Sequence, residues 1–267
     1  MSIAEEVQHR PNQLLASLLP KDRMRLSQHL EPVQLSVGES LYGPDRPQRW
    51  VFFPDGAIVS LLYVMENGSS AEIATVGSDG VLGVSQFMGG GRPAGSAVVL
   101  SAGPAQRMNG EALRTAFDAG GALQQLLLRY TQALLRQVGQ NAVCNRHHSI
   151  DQQLCRWLLM SLDRLTSNRL TMTHQLIADR LGVRRECVTE AAGNLQRAGA
   201  IKYHRGHIEV LDRSHLEARS CECYDVVRRD YARLLPWRAS DAPVPVAPRR
   251  DTSICSQEIR VRCGARE

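Results

Sequence analysis

The residues best suited to specific recognition chemistry lie in one short charged run. Arg184, Arg185 and Glu186 precede Thr189 and Glu190, so at helical spacing they fall on the first turns of one helix. Arg can bond bidentately to O6 and N7 of guanine, and Glu can accept from N4 of cytosine. A helix tip that carries both residue types is suited to the edges of neighbouring G·C pairs.

The surrounding sequence predicts the two helices that would position this run. A first helix is capped by Thr173 and ends at Gly182, a residue that can take the positive φ of a tight turn. A second helix begins at Arg184 or Arg185 and ends at Gly199. Its buried face is predicted from apolar residues at helical spacing, namely Val188, Ala191, Ala192 and Leu195. Two short helices joined by a three-residue turn indicate a helix-turn-helix, whose second helix enters the major groove.

A hairpin is predicted directly after the second helix. Two β-capable runs, 201–203 and 207–211, flank a turn that contains His204 and Arg205. Its cationic tip is suited to contact phosphate, which positions a protein on DNA without reading sequence. The predicted DNA-contacting residues are therefore Thr173, Arg184, Arg185, Glu186, Thr189, Glu190, His204 and Arg205.

The first part of the chain has the pattern of short strands. Val33, Leu35 and Val37 alternate with polar residues, and the runs 50–53, 57–64 and 71–76 are separated by turn signals. Many short strands with close turns predict a β-sandwich or barrel.

A long helix is predicted from residue 122 to about residue 147. Its apolar residues Leu123, Leu127, Tyr130 and Leu134 repeat at intervals of 4, 3 and 4, and Gln137 and Asn141 continue the same face. Such a stripe needs a partner, either the β-domain or the same helix of a second subunit. We predict a dimer contact through these four residues, while an intramolecular core helix stays open.

Two more helices complete the predicted fold. One spans about 149 to 165, and the other is opened by a capping box of Ser214 and Glu217 and runs to about Leu235. The proline-rich stretch 236–250 lacks a core-forming period, so the tail to residue 267 is predicted to be disordered.

Charge is distributed unevenly along the chain. Residues 1–120 hold 9 Lys and Arg against 12 Asp and Glu, and the remainder holds 23 against 15. A basic second half favours contact with nucleic acid. Because no apolar run is long enough for a membrane span and the N-terminus lacks a signal-peptide pattern, we expect a cytoplasmic protein with no membrane partner.

The seven cysteines all lie in the second half, and we expect reduced thiols. Two groups could contribute to a metal site: Cys144 with His147 and His148, and Cys221 with Cys223. Neither group supplies four ligands, and the second falls on a predicted helix. The sequence therefore predicts no metal site.

The whole arrangement resembles the Crp/Fnr family over about residues 14–235. The motif is ADRLGVRRECVTEAAGNLQRAGAI (178–201) with the hairpin after it, and a weaker match is Gly38-Glu39-Ser40-Leu41 with Trp50-Val51-Phe52. The resemblance implies an α+β chain in four parts: a β-roll, or cyclic-nucleotide-binding-like jelly roll, at 14–121; a dimerisation helix at 122–147; a winged helix-turn-helix at 148–235; and the tail at 236–267. It implies a homodimer on double-stranded DNA, with RNA polymerase as a further candidate partner.

The effector site departs from the family pattern. Cyclic-nucleotide-binding members have Gly-Glu and Arg-Ser-Ala segments, where this chain has Gly83-Val84 and Gly95-Ser96-Ala97. Both charged partners of the nucleotide are missing, and Arg92 lies three positions away in a glycine-rich loop. No cysteine precedes Cys144, which argues against an iron–sulfur sensor, and haem is equally unsupported. No cofactor is predicted and the effector stays unknown.

These observations favour a transcription regulator of the Crp/Fnr type that binds an inverted-repeat site as a homodimer. A ligand-sensing module whose C-terminal domain binds protein instead of DNA is the alternative. An enzyme is disfavoured, because the sequence has no nucleophile-elbow, P-loop or zincin motif and no convincing carboxylate pair.

Overall fold

The structure, a computed structural model, describes residues 11–43, 48–66, 68–90, 93 and 95–235. Arg92 and the tail from residue 236 lie outside these residues, so the predictions made for them are not addressed. The strands are β1 (Glu31–Leu35), β2 (Ser40–Tyr42), β3 (Trp50–Pro54), β4 (Ile58–Val64), β5 (Ser70–Val76), β6 (Ser96–Ser101), β7 (Gly103–Asn109), β8 (Arg169–Thr171), β9 (Ile201–His204) and β10 (His207–Val210). The helices are α1 (Gln13–Ser17), α2 (Pro20–Ser27), α3 (Val84–Phe87), α4 (Gly110–Asp118), α5 (Gly121–His147), α6 (Ile150–Leu162), α7 (His174–Leu181), α8 (Arg185–Arg197), α9 (Arg213–Arg219) and α10 (Cys223–Leu234).

The first seven strands form two antiparallel sheets. Their strand orders are β1-β7-β3 and β2-β6-β4-β5, with pairs such as Val33 opposite Ala105 and Val59 opposite Val76. Phe53 and Ile58 are buried among them because alternate residues of a strand face the core. The predicted α+β class, with a β-roll before a helical half, is confirmed. Val37 is the exception, because β1 ends at Leu35 and the Val37 side chain is exposed.

Helix α5 packs against its own chain through the predicted apolar stripe. Leu123, Leu127 and Tyr130 are buried in a core that also contains β-roll and α6 side chains, and Leu134 is partly buried between two core clusters. A side chain buried in this way cannot also face a second subunit. The dimer contact predicted through Leu123, Leu127 and Tyr130 is therefore corrected in favour of the intramolecular alternative, whereas Leu134 keeps part of its surface exposed.

The polar residues of the same face also bind within the chain. Gln137 donates from Nε2 to the Thr75 carbonyl oxygen at 3.2 Å and accepts from the Tyr231 hydroxyl at 2.8 Å. Asn141 donates from Nδ2 to the Ile73 carbonyl oxygen at 2.9 Å and accepts from Arg156. Both side chains therefore join α5 to strand β5 instead of fixing the register of two paired helices.

The C-terminal helices differ from the prediction of one continuous helix. Asp212, not Ser214, caps α9, since its side chain accepts from the backbone N–H of His215 at 3.0 Å. The chain then breaks at Ser220, and α10 starts at Cys223. None of the helices in the described part of the chain is long and apolar enough to cross a membrane.

Two buried polar contacts connect the β-roll to the helical half. Glu72 of β5 accepts from Trp157 of α6 at 3.2 Å, and from Ser60 and Thr75. Arg164 lies 2.7 Å from Asp79, with both side chains largely buried. Burial raises the pKa of Glu72, although its three hydrogen bonds favour the carboxylate.

Glu72 should make stability depend on pH. A carboxyl whose pKa is raised by folding holds its proton more tightly in the folded state, so its contribution to stability is present at low pH and is lost as pH rises through the folded pKa. The difference in unfolding free energy between Glu72→Gln and the parent should therefore grow as pH rises from about 4.5, with a slope of at most about 1.4 kcal/mol per pH unit. Urea unfolding from pH 4.5 to 8 measures it, and the exposed Glu66→Gln gives the matched control. A constant difference across this range would contradict the role assigned to Glu72.

Candidate nucleic-acid interface

The helix-turn-helix is set by its caps and its turn. The Thr173 hydroxyl accepts from the backbone N–H of Leu176 at 3.2 Å and so satisfies a free donor at the start of α7. Gly182 ends α7 at φ +66°, where a side chain would strain the backbone. Helix α8 then begins at Arg185, with Arg184 as its N-cap, as the sequence predicts.

Helix α8 is anchored through its apolar face. The predicted residues Val188, Ala191, Ala192 and Leu195 are all buried in the main core. Asn194 adds a hydrogen bond from Nδ2 to Asp151 of α6 at 3.3 Å. This packing fixes which face of α8 points outward.

The outward face of α8 carries the predicted recognition residues. Arg184, Arg185, Glu186, Thr189 and Glu190 are all exposed. Within the part of the chain that the structure describes, neither the two arginines nor the two glutamates form an ion pair. The Thr189 hydroxyl is engaged, since it donates to the Arg185 carbonyl oxygen at 3.1 Å. Four charged side chains thus remain available to an external partner.

His174 connects this face to the wing, a role that no local sequence pattern indicates. Its Nδ1 lies 3.0 Å from the Thr189 hydroxyl, and its ring stacks on Tyr203 of β9 with centroids 4.0 Å apart. Burial and the nearby Arg185 lower the pKa of His174, which favours the neutral ring. The contact holds α7, α8 and the wing as one surface.

The wing is a hairpin with a two-residue turn. Strands β9 and β10 pair from His204 opposite His207, and the turn residues Arg205 and Gly206 have φ +47° and +82°. Two successive positive φ values match the turn twist that hairpins favour. The sequence predicts a wing turn of three residues, 204–206. The structure has a turn of two residues, because His204 belongs to β9. Strand β8 adds a third strand that the sequence analysis did not predict.

The wing tip lies beside the start of the helix-turn-helix. The Met172 backbone N–H donates to the Gly206 carbonyl oxygen at 2.6 Å, and a Cβ built on Gly206 would lie 3.7 Å from Thr173 Cγ2. His204 and Arg205 are both exposed at this tip. Thr173 and the wing turn therefore form one continuous surface.

A pocket lies between the β-roll and α5, where the resemblance implies an effector. It encloses about 160 Å³ and is lined by uncharged residues: Tyr42, Gln48, Leu61, Leu62, Tyr63, Ile73, Val81, Leu82, Gly83, Val84, Ser85, Pro93, Gly95, Ser96 and Leu134. The backbone at Gly95 explains the missing arginine, since a Cβ there would lie 2.2 Å from the Leu62 carbonyl oxygen. Among the described residues, no formal charge faces this pocket.

The structure joins the two cysteine groups that the sequence analysis treated separately. The ligating atoms of Cys144, His148, Cys221 and Cys223 lie within 4.8 Å of one another, whereas His147 is exposed outside the cluster. The hydrogen bond between the Sγ atoms of Cys144 and Cys221 lowers the pKa of Cys221 and raises that of Cys144. Neither group supplies four ligands by itself, but the two groups together bring four candidate ligands to one place.

Comparison with known proteins finds relatives of the C-terminal half and of the whole fold. A model described as the Crp-like helix-turn-helix domain matches residues 152–219, the segment that contains α7, α8 and the wing. This segment is therefore similar to the helix-turn-helix domain of Crp-like proteins. The chain is 26% identical over 193 residues to the global nitrogen regulator of Synechococcus elongatus, a match that covers 68% of the chain and 86% of the relative.

Solved structures show the same fold. A transcriptional regulator of the Crp/Fnr family from Eubacterium rectale superposes with a TM-score of 0.60 at 17% identity, covering 76% of this chain and 94% of that one. FixK2 from Bradyrhizobium japonicum gives 0.60 at 18% identity, covering 72% and 98%. These structures show the fold, and the match to the Crp-like helix-turn-helix domain at residues 152–219 supports a transcription regulator that binds DNA.

Proposed function

We propose that this chain is a sequence-specific transcription regulator of the Crp/Fnr type that binds an inverted-repeat DNA site as a homodimer. The observation that carries the proposal is the outward face of α8, where Arg185, Glu186 and Glu190 are exposed and form no ion pair among the described residues. Unpaired opposite charges on a rigid helix tip contribute little to folding. They are suited to base edges, which present both donors and acceptors.

Each element of the interface has a separate task. Arg185 and Glu186 give a preference for G·C pairs, whereas Glu190 only accepts hydrogen bonds and selects a cytosine or adenine amino group. His204 and Arg205 at the wing tip contact phosphate, which supplies affinity and register without sequence preference.

The dimer forms through the face of α5 that the fold leaves exposed. Leu128, Gln132, Leu135, Gly139 and Ala142 are exposed and repeat at intervals of 4, 3, 4 and 3, the spacing of a coiled-coil contact. Leu128 and Leu135 are 41% and 66% exposed, which is unfavourable for large apolar side chains in an isolated helix. A second copy of α5 presents the same stripe, so a two-fold pairing would bury both.

Substitutions of the proposed base-reading residues should affect DNA binding differently from a substitution of the proposed phosphate-contacting residue. Arg185→Ala should cost about 1–3 kcal/mol at one position of each half-site, because it removes a bidentate base contact. Arg205→Gln should weaken binding to all sequences alike and lower the salt dependence by roughly one unit for each subunit. Glu190→Arg should move the preferred base at its position to guanine. Selection from a random DNA pool, followed by titration at several salt concentrations, measures all three.

Arg23→Gln on α2 is the matched control, an exposed arginine on the β-roll side of the chain. It should leave both the selected site and the salt dependence unchanged. If Glu190→Arg selects the parental half-site, α8 does not lie in the groove as proposed. A chain that shows no salt-sensitive DNA binding would instead support a protein-binding C-terminal domain.

Charge on the exposed face of α5 should dissociate the dimer. Leu135→Asp places two carboxylates in the paired contact, so light scattering at micromolar concentration should show a dimer for the parent and a monomer for the variant. Met24→Asp is the matched control, because Met24 is 69% exposed on α2 and lies off the stripe. The half-sites bound by the parent should lie about 34–36 Å apart. A parent that stays monomeric on DNA would overturn the dimer.

The effector is proposed not to be a cyclic nucleotide. The pocket has no described cationic residue for the phosphate, and a cyclic phosphate held there would lose charge-assisted hydrogen bonds worth roughly 1.5–3 kcal/mol each. Calorimetry with cyclic AMP and cyclic GMP should show no saturable binding below millimolar concentration. Tight one-to-one binding of either nucleotide would contradict this.

A further inference from the structure

We infer that Cys144, His148, Cys221 and Cys223 bind one zinc ion in tetrahedral coordination. Cys144 and His148 lie four residues apart at the end of α5 and so share one helix face. Cys221 and Cys223 flank Glu222 at the break between α9 and α10. Three cysteines and one histidine are a closed ligand set of the kind found in structural zinc sites.

The spacing of the ligand atoms fits a single ion. Sγ of Cys144 lies 3.5 Å from Sγ of Cys221, and Sγ of Cys223 lies 3.4 Å from Nδ1 of His148. Zinc–sulfur bonds of about 2.3 Å at tetrahedral angles place sulfur atoms about 3.8 Å apart. An iron–sulfur cluster contains several iron ions and inorganic sulfides, so its ligands are spread more widely than the 4.8 Å found in this cluster.

The neighbours of the ligands support metal binding independently. His148 directs Nδ1 at Cys223 and Nε2 at the carboxylate of Glu222, 3.3 Å away. A ligating histidine characteristically gives its other ring nitrogen to a carboxylate, which fixes the ring orientation. Gln140 donates from Nε2 to Sγ of Cys223 at 3.0 Å, a contact suited to a thiolate. Arg156 is near enough to Cys144 to stabilise negative charge on the group.

Burial makes the cluster a closed site. The three cysteines are buried, and His148 is 15% exposed. A closed site without room for substrate favours a structural role over catalysis. The ion would fasten the α9–α10 break to the end of α5, the point where the long helix leads into the DNA-binding half.

Metal content of the full-length chain, reduced and purified, tests the site. We expect about one zinc per chain, and in Co²⁺ titration the thiolate charge-transfer and visible bands of tetrahedral cobalt. Cys223→Ser and His148→Ala should lose both signals. Cys155→Ser and Cys187→Ser, which change free cysteines outside the cluster, should keep them, as should the double variant Cys255→Ser with Cys263→Ser.

A second measurement avoids dependence on variants that fail to fold. A chelator first removes zinc from the parent, and zinc is then added back. The addition should raise the Tm of the zinc-free protein by about 5–10 °C, because the ion binds the folded state. Gln140→Ala should keep the one-to-one stoichiometry and weaken zinc affinity about 10–100-fold.

Two results would overturn the zinc site. One is a reduced parent that binds neither zinc nor cobalt. The other is a Cys223→Ser variant that binds as tightly as the parent. These results leave the proposal for DNA binding unaffected, since selection from random DNA measures that separately.

Discussion

The structure depends on how the outer strand of the four-stranded sheet is covered. Strand β5 lies at the edge, where unpaired carbonyl oxygens would be costly to bury. Gln137 and Asn141 of α5 satisfy the carbonyl oxygens of Thr75 and Ile73. The amide oxygens of the same two side chains accept from Tyr231 of α10 and Arg156 of α6. One set of hydrogen bonds therefore fixes three helices against the sheet. The position of the DNA-binding half follows from this contact.

The recognition surface combines a rigid support with unsatisfied charge. Buried side chains of α8 fix its orientation, and His174 joins its outward face to the wing through Thr189 and Tyr203. Arg185 and Glu190 have no ionic partner within the described ranges, and such surface charges contribute little to stability. The fold therefore leaves these charged groups free for an external partner at little energetic cost.

Helix α5 illustrates how one element can serve two interfaces. Its buried face covers the β-roll, while Leu128 and Leu135 remain exposed on the other side. Gly139 and Ala142 continue the exposed face with small residues, which permit close approach of a second helix. The same helix leads to Cys144 and His148 at its end, so the proposed dimer face, the β-roll contact and the proposed zinc site lie on one helix.

The sequence by itself determined the helix-turn-helix and its wing, because their signals are local. Thr173 caps the next turn, Gly182 supplies a positive φ, and Gly206 allows a tight hairpin, all within a few residues of the contacts they make. The tertiary structure alone decided which stripe of α5 is buried, since both stripes repeat at nearly the same interval and only packing against β5 distinguishes them. It also decided the cysteine cluster, whose members Cys144 and Cys221 lie 77 residues apart. The spacing of distant residues is set by how helices pack, and a local pattern carries no information on it.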